Sequence, residues 1–522
     1  MLVCLVLAGR ASATESPTGA EPVTASIAAL ITGADQVVVD GRTLDGPALR
    51  QLYEARGYEP LWAVATAPDR AKDVLAAVER AQAHGLDPAA YHERALRRRS
   101  AAKGPGDRAA FDVLASDAVM RLGTHLRHGA VQPDRVEKDA AFAPRSVDPQ
   151  AIVIDAAAAA DLPAYLDDLA PETPAYRGLM DALARYREVA AAGGWPAVPL
   201  KGAVLKPGAV DPAVAAVRAR LAATGDYAGG APSAEEAKRY DDALVAAVKR
   251  FQARYGLAAD GVIGAPTRAA LARPVGDRIT QLVANLERLR WFPEDLGRRY
   301  VAVNVPSFEL VVVEDGNEVL TMPVVVGRKD RRTPVLATQI TELIFNPTWT
   351  VPPTLLREDF LPKMRRNQSY ATARGLKVIG TKNPMLRQPP GPRNPLGRVK
   401  FNMPNGFAVY LHDTTSKGLM RQPQRMFSSG CVRLSDAIGL ANQLLANDPR
   451  WTPAARRNYL SGWTTRSIAL REPVPVYLKY QTAWRDAHGE LQFRDDVYGR
   501  DAVLSRALMG DGSMAAAVAP RA

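Results

Sequence analysis

With 522 residues the chain is long enough for about three domains. Its composition, 47% hydrophobic and 23% charged, is that of globular protein and excludes a disordered or fibrous chain. The formal charge of +12 suits acidic partners in general. No recognition-helix, zinc-finger or RNA-binding signature accompanies that charge, so nucleic acid is not an expected partner.

The leader comes first in chain order. Met1 to Ala8 is almost wholly apolar, and Ala11-Ser12-Ala13 fits a signal-peptidase site. Residues 1–13 therefore read as a signal peptide, truncated because a basic n-region is missing. Export to the periplasm follows, with a membrane anchor if the true start lies upstream. No later run reaches the ~18 apolar residues that span a membrane. Residues 14–205 read as a helical domain: Val74, Leu75 and Val78 share one face between Lys72 and Ala83, and Phe111, Leu114, Ala118, Val119, Leu122 and Leu126 share another between Ala110 and Arg127. The tract Ala156–Ala160 also reads as helix, and Gly193–Gly208 as a linker.

Residues 211–274 form a second unit. Tyr240, Leu244, Val245, Val248, Phe251 and Tyr255 recur on one helical face, Gly256 suits the C′ position, Asp260-Gly261 makes a turn, and a short helix starts at Thr267. Residues 275–298 are a connecting helix on Ile279, Leu282, Val283, Leu286 and Leu289. The period then changes to two. Tyr300–Val305, Glu309–Glu314, Glu318–Val326 and Gln339–Phe345 read as strands, and Asp315-Gly316 as a hairpin turn. Short strands with few helices predict an antiparallel β-sandwich over residues 299–482. Residues 351–400 interrupt it with a helix-like piece (Leu355–Arg366) and a Pro/Gly-rich loop, the pattern of a lid. Residues 483–522 form a C-terminal extension.

The chemistry concentrates at Ser428-Ser429-Gly430-Cys431-Val432-Arg433. Cys431 and Cys4 are the two cysteines of the chain. Removal of the leader with Cys4 leaves Cys431 without an internal disulfide partner. Gly430 permits close backbone approach, and a helix-like run from Ser435 to Leu445, with Ser435 as its N-cap, follows at once. Amides before a helix lower a thiolate pKa and hold an oxyanion. Of six histidines, His412 is nearest in sequence, at the end of the strand-like run Phe407–Leu411. Spacing alone leaves a second reading open, in which His412 is a strand-end residue and Cys431 a small hydrophobe unrelated to it. There is no His-Glu-x-x-His, no cysteine pair and no phosphate loop, so neither metal nor cofactor is expected.

His412-Asp413-Thr414 followed by Ser-Ser-Gly-Cys-Val-Arg resembles the catalytic signature of the L,D-transpeptidases, Ser/Thr-His-Gly-Cys with Arg or Asn two residues on. Ser429 stands where most members have histidine, a departure usual in the large Gram-negative subgroup. Gln388–Phe401 and Asn346–Pro353 also resemble that subgroup. Leu52–Trp62 is similar to the start of its helical scaffold domain. Val248–Gln252 with Asp260–Gly264 resembles the three-helix peptidoglycan-binding fold. The resemblance spans nearly the whole mature chain and implies a multidomain α+β protein, with helical scaffold, three-helix peptidoglycan-binding domain and a capped, β-sandwich-like YkuD-type catalytic domain.

It also implies roles. Cys431 is the nucleophile and His412 its base, oriented by the backbone carbonyl of Asp413. The amides of Gly430 and Cys431 and the Tyr410 hydroxyl are oxyanion donors. Arg433, Trp349, Ser429 and Asn394 lie on the substrate side, Arg433 having a structural salt bridge as its alternative. The implied reaction cleaves terminal D-alanine from tetrapeptide stems through a thioester and forms 3→3 cross-links. L,D-carboxypeptidase or D-amino-acid exchange activity is the alternative, and a non-catalytic wall-binding scaffold ranks below both. Implied partners are donor and acceptor stem peptides and penicillin-binding proteins or other wall synthases, with carbapenem-type compounds acylating Cys431. A sortase-like enzyme would carry its histidine much further upstream, and a papain-like one would place cysteine before histidine.

Overall fold

The computed structural model describes residues 21–32, 36–63, 70–101, 103–142, 147–199, 204–230, 232–380 and 385–509. The expected signal segment 1–13 lies outside the described residues. Among the described residues no helix is long and apolar enough to cross a membrane. The chain divides into two compact units, residues 1–128 with 146–170 and residues 129–145 with 171–522.

The first unit is helical. Its central helix, Pro105–His128, is buried along most of its length, and Glu21–Thr32, Glu93–Arg99 and Pro149–Ala158 pack around it. Asp112 lies fully buried on this helix. Its carboxylate accepts the N–H groups of Leu61 (3.0 Å), Trp62 (2.7 Å) and Ala63 (2.7 Å) and the Tyr53 hydroxyl (2.6 Å). Burying a carboxylate is costly unless each lone pair finds a donor, and here each does. The Tyr53-to-Trp62 segment is thus strapped to the helix by one side chain.

In the second unit, Pro212–Ala223, Asp242–Arg254 and Ala265–Ala272 make a three-helix module. Gln252 ties its turn: Nε2 donates to Asp260 Oδ1 (3.0 Å) and Val262 O (2.9 Å), and Oε1 accepts from Gly261 N (2.8 Å). The helix Val275–Trp291 is buried on its polar face as well as its apolar one. That burial is made tolerable by pairing: Arg290 meets Glu287 (2.7 Å) and the Tyr176 hydroxyl (2.8 Å), and Arg288 meets Asp501 (2.5 Å).

The strands after Trp291 close into a ring. In order they are Val399–Asn402, Leu411–His412, Val432–Leu434, Asn317–Gly327, Glu309–Glu314, Arg299–Asn304, Arg466–Lys479 and Val335–Phe345, the last pairing back to Val399–Asn402. The inward residues Val301, Val303, Leu310, Val312, Val324, Leu343, Phe345, Phe401, Leu411, Val432 and Leu434 are all fully buried and form one core. Residues 299–482 are β-rich as expected, but their strands are mixed rather than wholly antiparallel and close into a ring. Leu411–His412 runs parallel to Val432–Leu434, and Arg466–Lys479 runs parallel to Arg299–Asn304. The first of these pairs is possible because the intervening chain is long enough to return. The helix after the cysteine is Ala437–Leu444, capped by Asp436 (accepting Gly439 N–H at 2.8 Å) rather than by Ser435.

The histidine strand is shorter than its apolar run suggests. Asn405 folds the preceding chain into a turn, donating from Nδ2 to Met403 O (2.6 Å) and Val409 O (2.8 Å), and Ala408 takes a positive φ of 53°. Residues 351–400 carry their own small core: Val351, Ala371, Leu376 and Leu386 are buried, with Trp349, Leu355, Phe360 and Met364 packed on them. The strands Trp349–Thr350, Met385–Gln388 and Lys377–Ile379 make a three-stranded sheet beside this cluster, and the helical stretch 353–366 contains one π-type turn, Leu356–Phe360.

Candidate active site

Register brings the predicted pair together. Leu411 faces Val432 and His412 faces Arg433 across the parallel ladder, while Lys400 faces His412 on the other side. Side chains alternate along strands, so Phe401, Leu411 and Val432 fill the core, and Lys400, His412 and Arg433 form one row on the opposite face. Tyr410 and Cys431 fall in the adjacent row of that same face. Cys431 is a half-buried free thiol, and both the amide and the hydroxyl of Tyr410 donate toward its sulfur. The Tyr410 ring lies edge-on to His412 at 5.6 Å and under the Lys400 ammonium at 4.3 Å.

His412 is 5% exposed, and its Nδ1 meets the carbonyl oxygen of Asp413 at 2.5 Å. A carbonyl only accepts, so Nδ1 carries the proton and Nε2 keeps a lone pair. Burial first, then the Arg433 charge, lowers the imidazole pKa to about 3. Burial raises the Cys431 thiol, against the donors from Tyr410 and the charges of Lys400 and Arg433, which favour the thiolate. The resting pair is therefore neutral thiol beside neutral imidazole.

Asp413 is itself held. Its Oδ2 accepts from Arg398 N (2.8 Å), and its Oδ1 pairs with Lys417 Nζ (2.6 Å), which also donates to Ser435 O (2.6 Å). Arg433 makes no hydrogen bond or ion pair among the described residues, and its Nε is buried without a partner. The salt-bridge alternative thus lacks its carboxylate. Lys400 likewise makes no hydrogen bond or ion pair among the described residues; its ammonium lies over the Tyr410 ring, with Cys431 and Glu342 as more distant opposing charges. Two cations without an ion-pair partner among the described residues flank the imidazole, an arrangement that favours an incoming anion.

The cysteine loop departs from expectation at Gly430. Its N–H is engaged with Ser428 Oγ at 3.1 Å, while the same hydroxyl donates to Cys431 O at 2.5 Å. The Gly430 amide is therefore spent on loop shape instead of facing an oxyanion. The glycine is still required: φ is +112°, and a Cβ would press on Arg332 O at 3.4 Å. Ser429 is exposed and receives Arg331 at 3.4 Å. Arg331 also binds Asp359 (2.6 Å) and Glu358 (2.8 Å), tying the insertion to the cysteine loop.

One expected substrate contact, Asn394, belongs elsewhere, and Trp349 is half-buried in the insertion. Asn394 is 1% exposed; its Nδ2 donates to Pro347 O (2.9 Å) and Pro389 O (3.1 Å), and its Oδ1 accepts from Leu396 N (2.9 Å). A side chain so occupied braces the loop and has nothing left for a substrate. Trp349 packs edge-on against Phe360 (6.1 Å) within the insertion's apolar cluster. Among the described residues no group of three or more His, Cys, Asp or Glu side chains is placed to hold a metal ion.

Residues 298–453 match the L,D-transpeptidase catalytic domain (YkuD). Over these residues the chain is similar to the L,D-transpeptidase family. Residues 47–183 match a scaffold domain, and 210–271 a "Putative peptidoglycan binding domain". A Haemophilus influenzae protein described as a "Putative L,D-transpeptidase" is 35% identical over 248 residues, 44% of this chain and 50% of that one, so the chain spans about half the length of this curated relative. Solved L,D-transpeptidases from Stackebrandtia nassauensis (17% identity, TM-score 0.21, 54% of this chain and 96% of that one) and Xylanimonas cellulosilytica (18%, TM-score 0.18, 54% and 100%) are also similar. At TM-scores this low the likeness carries no argument.

Sequence reading missed one buried anchor of this transpeptidase domain, Thr333. Its hydroxyl donates to Gly430 O (2.9 Å) and accepts from Gly327 N (2.8 Å), and its own N–H reaches the Tyr498 hydroxyl (3.3 Å). Arg500 closes on its carbonyl (3.2 Å), so the C-terminal extension buttresses the cysteine loop. A lone threonine between Arg332 and Pro334 carries no local signal of this. Thr333→Val keeps the shape but strands two buried polar groups, and is expected to cost about 2–4 kcal/mol. Chemical denaturation checks it. A loss under 0.5 kcal/mol would show the two contacts to be dispensable.

Proposed function

We propose that the chain is a cysteine-dependent L,D-transpeptidase acting on peptidoglycan tetrapeptide stems in the periplasm. The observation that carries this is the His412 imidazole held at Nδ1 by Asp413 O, on the strand next to Cys431. The thiol of Cys431 loses its proton to His412 Nε2 as sulfur attacks the carbonyl that precedes the terminal D-alanine. The Tyr410 hydroxyl and the Cys431 amide are then the donors available to the oxyanion, the Gly430 amide being engaged. The tetrahedral adduct collapses, the C–N bond breaks, and imidazolium gives its proton to the departing D-alanine amine. A thioester remains on Cys431. The side-chain amine of a second stem attacks it, yielding a 3→3 cross-link and returning the proton through His412 to sulfur.

The unpaired Lys400 and Arg433 suit an anionic substrate. A bound carboxylate offsets their charge, raises the depressed pKa of His412 and so makes it a stronger base when substrate is present. Carbapenem-type compounds would enter by the same sulfur attack. Wall synthases, penicillin-binding proteins among them, would supply the acceptor strands.

Mass spectrometry of the protein lacking residues 1–13, mixed with disaccharide-tetrapeptide, tests the proposal. The expected result is an adduct equal to the substrate less D-alanine, followed by free D-alanine and dimer. Tripeptide without dimer would reassign the enzyme as a carboxypeptidase. Absence of both adduct and D-alanine, with the fold intact, would leave only wall binding.

A further inference from the structure

The ring has a second open face, remote in sequence from the cysteine loop. Along the strand Arg466–Lys479, Val476 and Leu478 point into the core while Lys479 points out. Register sets Lys479 beside Asn304, and Asn304 beside Glu309 on the next strand. A cavity of ≈ 610 Å³ covers this row, walled by Phe292, Tyr300, Trp484 and Arg494 and lying wholly within the second unit.

The polar groups there fall into two kinds. Asn304 is satisfied, donating to Gln481 O (3.0 Å) and accepting from Gln481 N (2.8 Å). The Lys479 ammonium has no hydrogen bond or ion pair among the described residues; it sits 5.7 Å from the Phe292 ring and 5.8 Å from the Tyr300 ring. The side-chain amide of Gln481, 9% exposed as a residue, also makes no hydrogen bond among the described residues. Glu309 and Glu318 line the same cavity, but neither forms an ion pair with Lys479 among the described residues. A half-buried cation with an amide donor beside it, between aromatic walls, is complementary to a carboxylate on an apolar stem.

We infer that this cavity is a second ligand site, in which Lys479 and Gln481 bind the free C-terminal carboxylate of a short peptide whose body lies against Tyr300 and Trp484. The burial that lowers the Lys479 pKa to about 8 is the cost such a carboxylate would offset. The site stands apart from Cys431 and does not depend on the reaction proposed for it.

Calorimetric titration of the full chain with N-acetyl-trialanine, beside the same peptide with an amidated C-terminus, tests this. Binding is expected for the acid and at least about tenfold weaker binding for the amide, since a charge-assisted bond is lost. Lys479→Met, with an unchanged thermal transition, should show the same loss, and Cys431→Ala should bind as the unsubstituted chain does. Equal affinity for acid and amide would overturn the proposal. So would full binding by Lys479→Met, which would send the peptide to the catalytic groove, or an absence of binding at ~10 mM.

Discussion

Cys431→Ala is expected to lower acyl transfer by roughly 10⁵–10⁶-fold, to the level left by binding alone. His412→Gln should cost less, roughly 10²–10⁴-fold, because a positioned base supplies about that much and some thiolate forms without it. The two variants should differ most in their pH profiles. Lys400 and Arg433 favour the thiolate of Cys431, so His412→Gln should recover as pH rises, whereas Cys431→Ala should stay inactive throughout. With His412 in place, the acid limb of kcat/KM should lie well below the ordinary imidazole pKa of ~6.5, because the folded-state value is about 3. Stability changes in the same window. Between these two values the unfolded chain binds a proton that the folded site refuses, so stability falls as pH drops from ~6.5 toward 3, by up to about 1.4 kcal/mol per pH unit. His412→Gln should remove that dependence. Rates measured by D-alanine release and stabilities by urea titration decide both points; an acid limb near pH 6.5 would mean that His412 is not buried and neutral in solution.

The local signals and the register-dependent ones separate cleanly in this chain. Alternation over Glu309–Glu314 and Asn317–Gly327 was legible because each strand buries one face on one core. His412 and Cys431 stand out from residue type and motif, and the register sets them on neighbouring strands. The row Lys400–His412–Arg433 was not, because it needs three strand registers at once, one of them parallel, and no local pattern encodes a parallel pairing. Gly430 shows the same limit: a glycine before a cysteine invites an oxyanion reading, yet the adjacent Ser428 hydroxyl captures its amide. Asp436 takes the cap from Ser435 by one residue, within the ordinary uncertainty of helix ends. Asn394 sits in a motif-bearing loop, but a buried amide with three bonds is architecture, and only the count of its partners reveals that.

Gly397→Ala should be the most damaging change that touches neither Cys431 nor His412. Gly397 has φ +61°, and a Cβ there would lie within 2.7 Å of the Asp413 side chain. An alanine must therefore take a strained backbone or drive Asp413 out of its place. Asp413 cannot move freely, because its carboxylate is pinned by Arg398 N (2.8 Å) and Lys417 Nζ (2.6 Å), and its carbonyl holds His412 Nδ1. Overpacking plus a broken buried network should cost about 2–5 kcal/mol. Activity should fall further than the loss of folded protein explains, since an untethered imidazole can turn or change tautomer. The double variant Gly397→Ala with Asp413→Ala separates the two causes. Removing the carboxylate relieves the two closest contacts and leaves only that to the Cβ of residue 413 (2.7 Å), so the stability losses should be less than additive, while the backbone carbonyl that orients His412 is still present. Additive losses would place the strain in the Gly397 backbone alone, and a silent Gly397→Ala would mean that Asp413 does not govern the histidine.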